Sequence, residues 1–137
     1  MSDAIYQQAL KNLAQAAHGA GRLAPHDGEA CRDNPLCGDR VRIEIIRDGD
    51  LITALAQETK GCLLCQASAS LLGLRTPGLR SADIAAAMLA LQQLLRQNAA
   101  PPADWPEFSI FLPVRTHPSR HGCVLLPMET LLQALAR

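Results

Sequence analysis

Val41-Arg42-Ile43-Glu44-Ile45-Ile46 is the stretch that decides the fold. Val41, Ile43 and Ile45 alternate with Arg42 and Glu44, the period of two that puts apolar side chains on one face of a half-buried strand. Asp48-Gly49 supplies a turn and residues 51–58 run back as a second strand, so 41–58 reads as a β-hairpin. Upstream, residues 3–17 place Ile5, Leu10 and Leu13 at helical spacings, with Ser2 or Asp3 as cap and Gly19 and Gly21 as the stop. Residues 18–34 have loop composition, with a short edge strand near Cys31.

Downstream, Gly61 breaks the strand before a helix over 62–72, whose run Ala67-Ser68-Ala69-Ser70 permits close packing on the sheet. Thr76-Pro77-Gly78 is a turn, and Ser81 is the expected N-cap of a helix over 82–97. Residues 101–118, rich in proline, form an irregular link. The last helix is expected to start near Cys123 or Pro127, with Pro127 in its first turn and Met128, Leu131, Leu132 and Leu135 on one face. The class is α+β: a small antiparallel sheet of about three strands with helices packed on it.

The 137 residues are 48% hydrophobic but only 3% aromatic, so Leu, Ala, Val and Ile must fill the core of a single domain. Thirteen basic residues balance thirteen acidic ones, which argues against a nucleic-acid partner bound through phosphate neutralisation. No apolar run approaches the roughly 18 residues of a membrane span. The start, MSDAIYQQAL, has neither the basic residues nor the apolar stretch of a signal peptide. The expected setting is the cytoplasm, away from membranes.

Five cysteines carry the chemistry: Cys31, Cys37, Cys62, Cys65 and Cys123. In a reducing compartment, clustered thiols point to metal or sulfur chemistry more often than to disulfides. Asp39 precedes the first hairpin strand and Cys62 follows its partner, so antiparallel pairing makes Cys37, Asp39 and Cys62 neighbours. Cys123 joins them if the C-terminal helix packs across that end of the sheet. Three thiolates and a carboxylate suit zinc or an iron–sulfur cluster, and an aspartate in place of a fourth thiolate favours release over permanent retention. The alternative is that these are buried, inert core cysteines.

Three blocks carry a resemblance: Asn34-Pro35-Leu36-Cys37-Gly38-Asp39-Arg40-Val41, then Gly61-Cys62 running into Gln66-Ala67-Ser68-Ala69-Ser70, then Pro118-Ser119-Arg120 through Cys123 to Leu126-Pro127. In these, the sequence resembles the IscU/SufU/NifU N-terminal family of iron–sulfur cluster assembly scaffolds, closer to the SufU-like branch. The resemblance implies one scaffold domain over residues 1–137 and maps the ligands onto Cys37, Asp39, Cys62 and Cys123. It implies a scaffold that binds a labile [2Fe–2S] cluster or its iron precursor and passes it to recipient apo-proteins or cluster carriers. The sulfur would come from a cysteine desulfurase. The alternative is a zinc-dependent sulfurtransferase, with Zn²⁺ on the same residues and Cys123 accepting persulfide sulfur from the desulfurase. A third reading is a metal-stapled module that only binds partners and unfolds on chelation. The chain is therefore a non-enzymatic carrier in the first reading and an enzyme in the second.

Gly122 stands where IscU-like proteins carry His and SufU-like ones Lys, and His121 lies one residue earlier. His121 has two readings, a hydrogen bond behind the ligands or proton relay, and a loop histidine without a role. Arg115 and Arg120 are candidates for holding positive charge near the thiolates, against ordinary surface ion pairs. Cys65, where the family commonly has Ser, forms Cys62-Leu63-Leu64-Cys65, a CxxC redox spacing that no thioredoxin-like βαβ pattern surrounds; it is read as a core residue, with an alternative ligand or sulfur acceptor as the other option. Cys31, His18, His26 and His117 are read without a role in the site.

Overall fold

The computed structural model describes residues 3–36 and 38–136, side chains from Gln7 onward. The elements are α1 (Asp3–Ala16), β1 (Gly28–Asn34), β2 (Asp39–Asp48), β3 (Leu51–Lys60), α2 (Leu63–Arg75) and α3 (Ser81–Arg96). Two 3-10 segments, Pro106–Thr116 and Pro118–Arg120, lead into α4 (His121–Leu135). Ser2 and the side chain of Ile5, two features of the expected first helix, lie outside the described residues.

The alternating stretch forms the middle of the sheet. Strand order is β1-β2-β3, both pairs antiparallel, with Ile43 opposite Ala30 on one side and Gln57 on the other. Val41, Ile43 and Ile45 point to one face and are fully buried, each contributing about 1.5–3 kcal/mol of hydrophobic stabilisation. Gly49, at φ +60°, makes the tight connection between β2 and β3.

The inner face of the sheet packs against α4, which also contacts α2 and α3. Its buried residues run almost all round: Cys123, Val124, Leu125, Leu126, Met128, Leu131 and Ala134 among them. Beneath it β1 presents small residues inward, Gly28 and Ala30. A Cβ on Gly28 would come within 2.5 Å of the Ala134 carbonyl oxygen, so glycine there permits the close approach. This central helix starts at His121, and Pro127 lies in its interior rather than in its first turn. Proline has no N–H for the Cys123 carbonyl four residues back. At the next carbonyl, Val124, the Ser68 hydroxyl of α2 donates a hydrogen bond of 2.7 Å.

Other expectations are corrected by tertiary contacts. The short edge strand near Cys31 is a full seven-residue strand, held by pairing with β2 along its length. Helix α2 runs on to Arg75, and its small residues pack on α4 and the 18–19 loop as well as on β3: the Ser70 hydroxyl accepts from the His18 N–H at 3.0 Å. Ser81 is the first residue of α3 instead of its cap. The cap is Arg80, whose N–H donates to the Asp83 carboxylate at 2.9 Å. The proline-rich link is largely 3-10 helix.

Glu44 alternates away from the core as the pattern requires, yet is only 3% exposed, because residues 19–27 fold over that face. Its carboxylate accepts from the Leu23 N–H at 2.7 Å and from Arg42 at 2.8 Å. Burial pushes the carboxyl pKa up, but the Leu23 N–H, Arg42 and His26 together outweigh it and hold the group below the usual glutamate value. No helix among the described residues is long and apolar enough to cross a membrane.

Candidate metal centre

The β1–β2 loop, the end of β3 and the start of α4 meet at one end of the sheet. Asn34 closes β1 opposite Asp39, its side-chain oxygen accepting from the Leu36 N–H at 3.1 Å and its carbonyl from the Gly38 N–H at 2.8 Å. Gly38, at φ +74°, completes the turn and delivers the chain into β2. Cys37, within this loop, lies outside the described residues.

Asp39 is the first residue of β2 and is 1% exposed. Its Oδ1 accepts from the Cys62 N–H at 2.9 Å, which turns Oδ2 toward Cys62 Sγ, 3.7 Å away. Gly61 makes this arrangement possible: any Cβ there would collide with the Asp39 carboxylate. Cys62 is the N-cap of α2 and is half-buried. Cys123 lies in the first turn of α4 and is fully buried. One ligand atom from each of Asp39, Cys62 and Cys123 falls within 4.8 Å of the others, close enough for a common ion. Both cysteines sit at helix N-termini.

Arg120 caps α4 with its guanidinium toward both sulfurs. The charge of Cys62 raises its pKa, as does that of Cys123, against a burial that lowers it, so the arginine remains cationic beside the thiolates. Arg115 is elsewhere. Its Nε donates to the Leu94 carbonyl at 2.7 Å and its Nη2 to that of Ala99, fastening the 3-10 segment to the end of α3. His121 is buried, and its Nε2 lies 3.0 Å from the Val114 carbonyl and 3.3 Å from that of Arg115. A carbonyl only accepts, so Nε2 carries the proton and ties α4 to the preceding segment. Cys65 is fully buried in the core under α2. Cys31 is exposed on β1, away from this end of the sheet.

Two positioning residues escaped the sequence reading. Asn34 shapes the β1–β2 loop, and a side chain at Gly122 would bring its Cβ to 3.0 Å from the Asn34 amide nitrogen. Gly61 reads as a simple strand breaker, yet it makes room for a carboxylate. An Asn followed by Pro at the end of a strand was the available signal for the first; nothing local marked the second.

The NifU-like N-terminal domain model matches residues 5–102, which takes in the Asp39 and Cys62 segments. The chain belongs to this family. The family match stops short of α4, but relatives extend over it. The chain is 23% identical over 133 residues to an iron–sulfur cluster assembly scaffold protein, IscU, of Thermotoga maritima, covering 97% of this chain and 94% of that protein. It is 27% identical over 109 residues to a zinc-dependent sulfurtransferase, SufU, of Bacillus subtilis, covering 77% and 72%. Among solved structures, a NifU-like N-terminal protein from Brucella abortus superposes with a TM-score of 0.92 at 29% identity, covering 98% of this chain and 94% of that one. A SufU-type protein from Fervidobacterium islandicum superposes at 0.88 with 24% identity, over 98% and 99%. The three-stranded antiparallel sheet with its helices is thus the fold of this family.

Proposed function

We propose that the chain is an iron–sulfur cluster assembly scaffold: it holds a labile [2Fe–2S] cluster or its iron precursor on Cys37, Asp39, Cys62 and Cys123 and passes it to recipient apo-proteins or cluster carriers. The observation that carries this reading is the convergence of Asp39, Cys62 and Cys123 within 4.8 Å. Thiolates suit iron–sulfur clusters and zinc, and a carboxylate oxygen is a harder donor tolerated by both. Cys37 has the position in sequence to supply the remaining sulfur, from the loop directly before Asp39. The Asp39 carboxylate, tethered through Oδ1 to the Cys62 N–H, supports a cargo that is held and then let go.

Sulfur would come from a cysteine desulfurase, and Arg120 supports that step by keeping positive charge beside Cys62 and Cys123. Anaerobic reconstitution with iron and a desulfurase should give cluster absorbance that Cys37→Ser weakens. A colourless wild-type protein under all such conditions overturns the scaffold reading.

The second reading, a zinc-dependent sulfurtransferase, is favoured by the placement of Cys123 in the first turn of α4 beside a fixed cation. Bound zinc would supply a Lewis acid that keeps the thiolates deprotonated. The Cys123 thiolate would attack the outer sulfur of the desulfurase persulfide; a new S–S bond forms on Cys123, the desulfurase S–S bond breaks, and the desulfurase cysteine leaves as its thiolate. Protein with about one zinc per chain that accelerates desulfurase turnover meets this reading, and absence of stimulation removes it.

A further inference from the structure

Cys65 belongs to none of the roles above, although it shares a helical turn with one of the candidate ligands. Cys62 is the N-cap of α2, in extended backbone at φ −70° and ψ 170°, and Cys65 is the third helical residue after it. An N-cap side chain is the one placed to reach the third helical residue. Cys62 makes no such capping bond; its sulfur is turned to Asp39 Oδ2 instead. Residues three apart along a helix are surface neighbours, and their separation suits the Cα distance of about 4.4–6.8 Å that a disulfide bridges. The two thiols differ in access, Cys62 being half-buried and Cys65 fully buried. Ser68, one turn further along α2, donates to the Val124 carbonyl next to Cys123, so this helix packs against the start of α4.

We propose that Cys62 and Cys65 form a reversible disulfide, and that closing it withdraws Cys62 from the metal centre and empties the site. The second half of this statement rests on the metal-binding reading above. The oxidant is a small-molecule disulfide. The Cys62 thiolate attacks one of its sulfurs, forming a mixed disulfide and releasing one thiol. The Cys65 thiolate then attacks Cys62 Sγ, forming the internal bond and releasing the second thiol. Two protein thiols are oxidised and one disulfide is reduced to two thiols; a dithiol reverses both steps. The accessible cysteine reacts first and the buried one resolves the mixed disulfide. The Cys62–Cys65 bridge lies within one helical turn; Cys123, whose sulfur is within 4.8 Å of Cys62 Sγ, is the competing partner that the test must exclude.

Trypsin places both cysteines in one peptide, residues 61–75, between the cuts after Lys60 and Arg75. Metal-free full-length protein is incubated with excess oxidised glutathione, blocked with N-ethylmaleimide, digested and weighed. Wild type should yield this peptide lighter by two hydrogens and free of both glutathione and maleimide. Cys65→Ser should stop at glutathione on Cys62, and Cys123→Ser should still yield the internally bridged peptide. After removal of glutathione, oxidised wild type should have lost zinc uptake and regain it with dithiothreitol. A wild-type protein that stops at the mixed disulfide, or joins Cys62 to Cys37 or Cys123, overturns the proposal. So does an internal bridge that leaves zinc uptake unchanged. If the bridge forms but the reduced protein takes up neither zinc nor iron, the bridge stands, the switch is overturned, and the failure lies in the metal-binding reading.

Discussion

Gly61 and Asp39 show how narrowly a side chain can be specified by a neighbour with none. The Asp39 carboxylate occupies the space a Cβ on Gly61 would need. Gly61→Ala should displace the carboxylate while leaving the core of the sheet untouched. Loss of a supporting contact behind a ligand typically weakens metal binding by about 10–100-fold. Competition against a chromophoric zinc chelator should show that loss, with an unchanged far-ultraviolet circular dichroism spectrum. Unaltered affinity would mean that Asp39 is not a ligand. At this scale the sequence was legible where chemistry names the residue: Asp39, Cys62 and Cys123 were expected together and are found together. It was silent where only shape matters, as at Gly61. It put Arg120 ahead of Arg115, on the short loop it shares with Cys123, and the chain's path then separates them: Arg115 fastens α3, Arg120 faces the sulfurs.

Among the elements, the hairpin of β2 and β3 was legible because alternation of apolar and polar residues is a local signal. Strand β1 was legible only as a short edge strand near Cys31, since Gly28-Glu29-Ala30-Cys31-Arg32-Asp33-Asn34 lacks large apolar residues and gains its full length by pairing with β2 beneath a close-packed helix. The beginning of α4 was left between Cys123 and Pro127: it lies at His121, near Cys123, while Pro127, which locally signals a start, sits in the helix interior. The Ser68 hydroxyl supports α4 at Val124, near this proline, and Ser68→Ala should cost about 1 kcal/mol in urea unfolding at neutral pH. Burial of Glu44 was equally hidden, because the cover comes from residues 19–27. Its carboxyl pKa is lowered on folding, so its stabilisation is present above the unfolded-state value of about 4.3 and is lost as pH falls through the folded-state value. Glu44→Gln should therefore cost about 1.5–3 kcal/mol at pH 7. The gap between variant and wild type should narrow on acidification below about pH 4.3, measured by urea titration at several pH values.

For the whole molecule, apolar side chains fill the core. Ile43, Ile45, Ile52, Leu71, Leu91, Phe108, Phe111 and Leu125 are all fully or almost fully buried. This opposes the third reading, in which the metal staples the fold together. Chelation should lower the melting temperature yet leave a folded protein, and zinc at a hundredfold excess over its dissociation constant should restore about 2.7 kcal/mol. Collapse to an unfolded spectrum on chelation would restore the stapled-module reading. The site draws on separate parts of this architecture: the start of β2, the end of β3 leading into α2, and the entry to α4. Its assembly is a property of the complete fold, which is why spacing in sequence allowed convergence but did not require it.

The central claim is that Cys37, Asp39, Cys62 and Cys123 close around one ion. X-ray absorption at the zinc edge of the zinc-loaded protein tests it most directly. The account predicts three sulfur ligands at about 2.3 Å and one oxygen at about 2.0–2.2 Å, with one sulfur lost in Cys37→Ser. A shell of nitrogen and oxygen alone, or a sulfur count that Cys37→Ser leaves unchanged, would contradict it.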